Sequence, residues 1–381
     1  MRIGINLLAV LPRFSGGIEF YIRNLLIALA DIDTENQYYL FTNRDNHELF
    51  DAGRPNFQRI QVDTRARPQV SRIAWEQFYL PYLSARLHLD VLHSPTYTWP
   101  VLCNVPGVVT ICDMLYQIYP ETIDRGKLLF WRIFIPWSVK RCRKILTISE
   151  RSKLDIVRGL PVTPDQVVVT PLALEVQFAH ARPPAEEDVR RVCTKYGLCR
   201  PYILDVGGIG NHKNALTLVR ALAVVRQKYP EMATLSLTIT GNNYGAKEQI
   251  LRAAEELKLS DLVFLPGYVA REDLPALYRG AVVYASPSYF EGFGLTLLEA
   301  MAFGIPVITS NCSSLPEVAG DAALIVDPDD SMQMAEAIHT LLANPEYRNK
   351  MISRGYCRVK AFSWEQTARL TLKAYHSAVE V

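Results

Sequence analysis

The chain has no Cys-x-x-Cys pair, no long apolar run and almost no excess charge, and each absence removes a class of protein. Its seven cysteines, Cys103, Cys112, Cys142, Cys193, Cys199, Cys312 and Cys357, are odd in number and scattered, so they spell neither a disulfide framework nor a zinc site. They read as free thiols of a reducing cytoplasm. No uninterrupted apolar stretch reaches the roughly 18 residues of a membrane span. The opening Met1-Arg2-Ile3-Gly4-Ile5-Asn6 reads as a first strand rather than a secretory leader. A formal net charge of +2 supplies no basic excess for nucleic acid, so no nucleic-acid partner is expected. What is present is 381 residues with a hydrophobic fraction of 49%, a length that favours two domains.

Apolar strand-like runs alternate with helix-period segments nearly throughout, the pattern of parallel sheets with crossover helices. One series starts at Arg2 to Leu8, with a helix near Gly17 to Ala30 and strands near Tyr38 to Thr42, Val91 to Ser94, Gly107 to Ile111 and Ile145 to Ser149. A second starts at Tyr202 to Val206. Between them Ala179-His180-Ala181-Arg182-Pro183-Pro184-Ala185-Glu186-Glu187 has no periodicity and reads as a linker. The expected fold class is therefore α/β, with two Rossmann-like parallel-sheet domains at 1–180 and 181–360, facing across a cleft. A last helix at 361–381, capped by Ser363, is expected to pack back on the first domain. Open α/β sheets bind ligands at the carboxyl ends of their strands.

The densest motif is Glu291-Gly292-Phe293-Gly294-Leu295-Thr296-Leu297-Leu298-Glu299. Its glycines let backbone N–H groups approach a ligand, the helix start offers orphan donors to a diphosphate, and two carboxylates can accept from hydroxyls. An ordinary turn before an amphipathic helix fits those nine residues equally well. Gly304 then ends the helix and Ile305 to Ser310 begins a strand.

Two further glycine turns follow first strands. Gly16-Gly17 opens the first helix, and Gly207-Gly208-Ile209-Gly210-Asn211-His212-Lys213-Asn214 leads into the helix Ala215 to Lys228. The second is no dinucleotide fingerprint, since Lys213 stands where a third glycine belongs, and it lacks the Gly-Lys-Ser/Thr ending of a P-loop. A lysine at a helix start opposes the dipole, a cost that an anionic ligand would offset. Pro266-Gly267-Tyr268-Val269 ends another strand, where a glycine turn can face a nucleobase. Asp113 follows the apolar run Val108 to Cys112 and either takes a hydrogen bond from a reacting hydroxyl or caps the next turn. The triplets Asp31-Ile32-Asp33 and Asp327-Pro328-Asp329 invite a divalent metal, but they flank helix ends, where capping accounts for the acids. No metal or other cofactor is expected. Residues 127–144 combine aromatics and cations without an acid, suiting either peripheral contact with an anionic membrane or a half-buried helix.

Taken together, these motifs resemble the retaining glycosyltransferases of family 4, which have the GT-B fold, and the resemblance covers nearly the whole chain. It rests on Glu291 and Glu299 with Gly-Phe-Gly-Leu between them, on Gly16-Gly17 and on Lys213. Trp75-Glu76-Gln77, Leu92-His93-Ser94-Pro95, Thr110-Ile111-Cys112-Asp113 and Gly208 to Asn214 are similar to the mannosyltransferase-B group of polysaccharide and O-antigen enzymes.

The resemblance implies a nucleotide-diphosphate hexose donor, GDP-mannose being favoured, a saccharide or polyprenyl-linked saccharide acceptor, and retention at the anomeric carbon. Glu291 would bind hexose hydroxyls, Glu299 the ribose, Lys213 the diphosphate, and the backbone of Phe293, Gly294, Leu295 and Thr296 the sugar and phosphate. Gly16, Gly17, Gly208, His212, Asn214, Gly267, Tyr268, Val269 and Gly292 would complete the donor site. Asp113, Glu291 and Lys213 are the expected catalytic residues, with His93, Cys112 and Asp113 on the acceptor side. Cys112 stands where the group usually has histidine and His212 where it usually has arginine, so a thiol replaces a better proton carrier and a partly charged ring replaces a permanent cation. A UDP-sugar donor, or a degenerate binding protein without turnover, are the rival readings. The expected location is cytoplasmic, at the inner face of the membrane.

Overall fold

The computed structural model describes residues 1–12, 16–67, 69–175, 178 and 184–380, with backbone alone for Gly16, Gln69 and Val70. Phe14 and Ser15 ahead of the first glycine turn, and 179–183 of the expected linker, lie outside the described residues. The chain divides into two compact units. Met1–Leu172 with Ser363–Val381 form the first, and Ala173–Phe362 the second, so the division falls at 172 rather than 180.

The first unit is built on seven strands: β1 (Arg2–Asn6), β2 (Gln37–Thr42), β3 (Phe57–Gln61), β4 (Val91–Ser94), β5 (Gly107–Thr110), β6 (Lys144–Thr147) and β7 (Val167–Val169). All pair in parallel, in the order β3-β2-β1-β4-β5-β6-β7. Strands β4 and β5 are buried at every residue, so neither shows the in-and-out alternation of a half-exposed strand. Strand β1 stops at Asn6, short of the expected Leu8. There the amide turns in, accepting from Leu8 N at 3.1 Å and donating to Ser94 Oγ at 3.2 Å.

The helix Trp364–Val379 is a structural part of this first unit. Ser363 caps it by accepting from Gln366 N at 3.2 Å. Trp364 meets Phe20 edge-on at 5.7 Å, and Thr367 Oγ1 donates to Pro171 O at 2.5 Å. The basic aromatic stretch 127–144 is not one helix. Asp124 caps Arg125–Arg141, the helix ends at buried Cys142, and Lys144 already opens β6.

The second unit carries β8 (Tyr202–Val206), β9 (Ser236–Thr240), β10 (Val263–Gly267), β11 (Val283–Ser286), β12 (Val307–Ser310) and β13 (Ala323–Val326), parallel in the order β10-β9-β8-β11-β12-β13. The helices Ala215–Lys228 and Ser331–Ala343 close one face. Leu218, Leu222, Met334 and Ile338 pack against Ile203, Leu237, Ile239 and Val283 of the sheet. The short helix Leu295–Ala302 ends as its glycine requires, Gly304 taking φ +70° before β12. The acids of Asp327-Pro328-Asp329 are spent locally. Asp327 accepts from Asp329 N at 2.9 Å and Asp329 from the Tyr289 hydroxyl, while the neighbouring Asp330 caps the next helix through Gln333 N at 2.8 Å.

The C-terminal helix is pinned to the first sheet by a bond from Tyr375 to His93, both fully enclosed. Tyr375→Phe leaves a buried imidazole nitrogen without a partner, and should cost about 1–3 kcal/mol in a denaturation measurement. Unchanged stability would show that this bond does not hold the helix.

Candidate functional site

In the second unit, the loops that leave β8, β9 and β10 are stitched together through backbone. Gly207 and Gly208 N both donate to Thr240 O, at 3.2 and 2.9 Å. Ile209 N donates to Asn242 O at 2.8 Å, and Gly241 N to Gly267 O at 2.8 Å. Gly241 is the tightest point, with φ +118°, and a Cβ there would lie 2.3 Å from Gly208 N. Two loops meet backbone on backbone, and only glycine allows that approach. Gly241 carries no local sequence signal, because Thr240-Gly241-Asn242 matches no phosphate-loop spacing.

The strand order reverses between β8 and β11, the place where open parallel sheets leave a crevice at their carboxyl ends. Lys213, from the loop after β8, and Glu291, from the loop after β11, meet across that crevice with Nζ and Oε1 2.5 Å apart. Their side chains are 13% and 17% exposed, so the pair is sheltered but open to a ligand. Glu291 is fixed from several sides. Its Oε1 accepts from Ser288 Oγ at 3.1 Å, and its carbonyl accepts from the hydroxyls of Ser313 and Ser314 at 2.7 and 2.8 Å. Ser314 also donates to Phe293 O at 2.8 Å. His212 is buried next to Lys213, and its carbonyl accepts from Tyr289 N at 2.8 Å, tying the two loops a second time.

Buried Asp205, on β8, completes the electrostatics. Burial pushes its carboxyl up to about 7, with Lys213 pulling it back and Glu291 adding to the rise. Burial works to lower the Lys213 ammonium, but Glu291, and then Asp205, outweigh it and hold the lysine above its ordinary range. This lysine stays charged.

The other expected donor residues divide into exposed, structural and buried. Gly294 caps the helix Leu295–Ala302 at φ +101°, and a Cβ there would press on Leu315 at 2.9 Å. The first N–H groups of that helix, at Leu295 and Thr296, have no acceptor within it, and Thr296 Oγ1 accepts from Tyr284 at 2.7 Å. Phe293 is buried, edge-on to Phe362 at 5.5 Å. Glu299 is buried and accepts from the Tyr278 hydroxyl at 2.7 Å; burial raises its pKa, against the pull of Tyr278 and Arg271. The two glutamates therefore sit on different partners. Asn214 is spent on structure, donating to Pro328 O at 2.7 Å. Tyr268 is exposed and Val269 buried, beside Gly267 at φ +75°.

The acceptor-side expectations fare unevenly in the first unit. Asp113 Oδ1 accepts from Leu115 N at 2.9 Å, the capping role weighed for it, and also from the Tyr97 hydroxyl at 3.3 Å. Cys112 is buried, and burial, with Asp113 adding, pushes its thiol far up, so it stays protonated. His93 requires a correction. It is enclosed between Tyr375, 2.7 Å from Nδ1, and Thr110 Oγ1, 2.8 Å from Nε2. Burial lowers its pKa to about 3, making it a neutral core histidine with both nitrogens engaged. Gly17 lies in the first turn of the helix Gly16–Ile32, with open space where a Cβ would stand.

Two Rossmann-like parallel sheets, the second with a sheltered lysine and glutamate at its switch point, define a GT-B protein. Residues 15–178 match the model for Glycosyltransferase Family 4, and residues 197–358 the model for Glycosyl transferases group 1. The chain belongs to this glycosyltransferase family.

It is 32% identical over 290 residues to O-antigen chain mannosyltransferase B of Escherichia coli, covering 75% of this chain and 74% of that protein. It is 28% identical over 293 residues to the serotype-specific mannosyltransferase WbdA of Escherichia coli, where the match covers 74% of this chain but 35% of the relative. Among solved structures, Anabaena HepE in complex with UDP and glucose superposes with a TM-score of 0.73 at 16% identity, over 99% of this chain and 100% of that one.

The raised carboxyl of Asp205 gives a stability test with a defined sign. A carboxyl whose pKa rises on folding holds its proton in the folded chain between about pH 4 and 7, so stability falls as pH increases through that window. Asp205→Asn should raise stability at pH 8 by on the order of 1 kcal/mol or more and leave it unchanged at pH 4, measured by denaturant unfolding. An equal effect at both pH values would refute the assignment.

Proposed function

We propose that the protein is a retaining mannosyltransferase that moves mannose from GDP-mannose to a lipid-linked or growing saccharide in cell-surface polysaccharide synthesis. The Lys213–Glu291 pair carries this reading. A charged ammonium paired with the glutamate whose loop runs into a helix start suits a departing diphosphate, and the carboxylate suits the hydroxyls of a hexose. On binding, the diphosphate takes over Lys213 and frees Glu291 to accept from the sugar. Glu299 is assigned to the ribose and Asp113 to the acceptor hydroxyl, with the acceptor attacking from the face the diphosphate leaves. No cofactor is assigned. The choice of mannose rests on the names of the two mannosyltransferase relatives.

Contact with an anionic membrane is assigned to a narrower surface than 127–144. Leu129, Ile133 and Trp137 form an exposed stripe at helical spacing, whereas Arg143 donates to Ala378 O and Lys144 to Asp165 O, each at 3.0 Å. Among the described residues no helix is long and apolar enough to cross a membrane, so attachment through this stripe would be peripheral.

A panel of labelled sugar nucleotides, with membrane extract as acceptor source, tests the reading. GDP-mannose should support transfer, and Glu291→Ala should lower kcat/KM by at least about a hundredfold with the fold intact. Transfer from a UDP-sugar instead would overturn the donor assignment, and near-normal turnover of Glu291→Ala would overturn the site. Leu129→Ser combined with Trp137→Ser should release the protein from anionic vesicles; unchanged co-sedimentation would show that the stripe is not the membrane contact.

A further inference from the structure

The first unit has a switch point of its own, between β1 and β4. The loops leaving those two strands enclose a cavity of about 210 Å³, lined from the β1 side by Ala9, Leu11 and Ile18 and from the β4 side by Thr96, Tyr97 and Thr98. Three cations, Arg67, Arg72 and Lys127, reach into it from other segments. By sequence Lys127 belongs to a stretch that suits either membrane contact or a half-buried helix, and Arg67 and Arg72 fall in no motif.

These cations are poorly compensated. Among the described residues Glu76 is the one carboxylate paired with any of them, and both its oxygens accept from the same nitrogen, Arg72 Nη1, at 2.9 and 3.0 Å. Arg72 Nε and Nη2 have no acceptor among the described residues, and neither Arg67 nor Lys127 makes an ion pair there. Lys127 is held over the Trp131 ring at 4.3 Å, and that ring is itself stacked on Tyr97 at 4.8 Å. Lys127 is exposed as a residue, and these aromatics hold its ammonium at the cavity. Partial desolvation there lowers its pKa, and the charges of Arg72 and Arg67 lower it further, with only Asp124 opposing them. Arg72 is buried whereas Arg67 and Lys127 are exposed, so the cost falls on Arg72, a desolvated cation with part of its guanidinium unpaired, and a bound anion would offset it.

The cavity is also placed for chemistry. Tyr97, in its wall, adopts φ +69°, which is strained for a side chain of that size. It donates its hydroxyl to Asp113 at 3.3 Å. An anion seated between Lys127 and Arg72 lies one side chain away from that carboxylate.

We propose that this cavity is the anion subsite of the acceptor. It takes the phosphate or diphosphate of a phosphorylated saccharide on Arg67, Lys127 and the open edge of Arg72, with sugar hydroxyls falling to Thr96, Thr98 and Asp113. The word acceptor rests on the glycosyl-transfer reading above; the binding of a sugar phosphate does not.

Equilibrium binding to the full chain, without any sugar nucleotide, tests it with three probes: a monosaccharide joined through diphosphate to a farnesyl chain, the same sugar as its 1-phosphate, and its uncharged octyl glycoside. Both phosphorylated probes should bind at least about tenfold tighter than the glycoside. Arg67→Gln with Lys127→Gln should erase that advantage without lowering the melting temperature, while Lys213→Gln leaves it intact. Tighter binding of the farnesyl probe identifies the source as lipid-linked, and equal binding identifies a soluble sugar phosphate; either supports the subsite. Equal affinity for charged and uncharged probes, undiminished binding by the double variant, or loss of binding through Lys213→Gln alone would each overturn it. Because no donor is present, failure of the GDP-mannose assignment would leave this result unaffected.

Discussion

Parallel strands place every carboxyl end along one edge of a sheet, and a reversal of strand order forces the loops on either side of it apart. Both sheets of this chain obey that constraint, at β1/β4 and at β8/β11. The consequence is a crevice in each unit whose walls come from segments distant in sequence. Lys213 and Glu291 are 78 residues apart and share a hydrogen bond only because β8 and β11 are neighbours. The three-cation cavity of the first unit has the same origin, since its walls leave β1 and β4.

Charge within each crevice is handled differently. In the second unit a buried carboxyl, a lysine and a glutamate form a nearly balanced group, so the lysine keeps its proton. Around the cavity of the first unit, three cations face one paired carboxylate among the described residues. A chain with net charge +2 therefore concentrates positive charge locally, in places that overall composition cannot reveal. Backbone packing adjoins the balanced site, because Gly208 against Gly241 lets the β8 and β9 loops close on one another.

Much of the second site was legible in the residues. Glycine turns after apolar strands mark loop positions, a lysine that opposes a helix dipole asks for an anion, and Glu291-Gly292-Phe293-Gly294 running into Leu295 marks a helix start. What remained hidden were contacts with no local spacing: Asp205 beneath the lysine, the serines on Glu291, and Gly241. His93 was misplaced for the same reason. Histidine at a strand end is equally suited to a site or to a core, and the choice was made by Tyr375, 282 residues away.

The sequence by itself determined the alternation of strands and helices, the two-unit organisation, the glycine loops and the family to which they belong, because these depend on periodicity and on residues close together in the chain. Only the tertiary structure decided which charged groups meet and which stay uncompensated. Electrostatic interaction depends on distance and burial in space, and strand order, which no local pattern encodes, sets both.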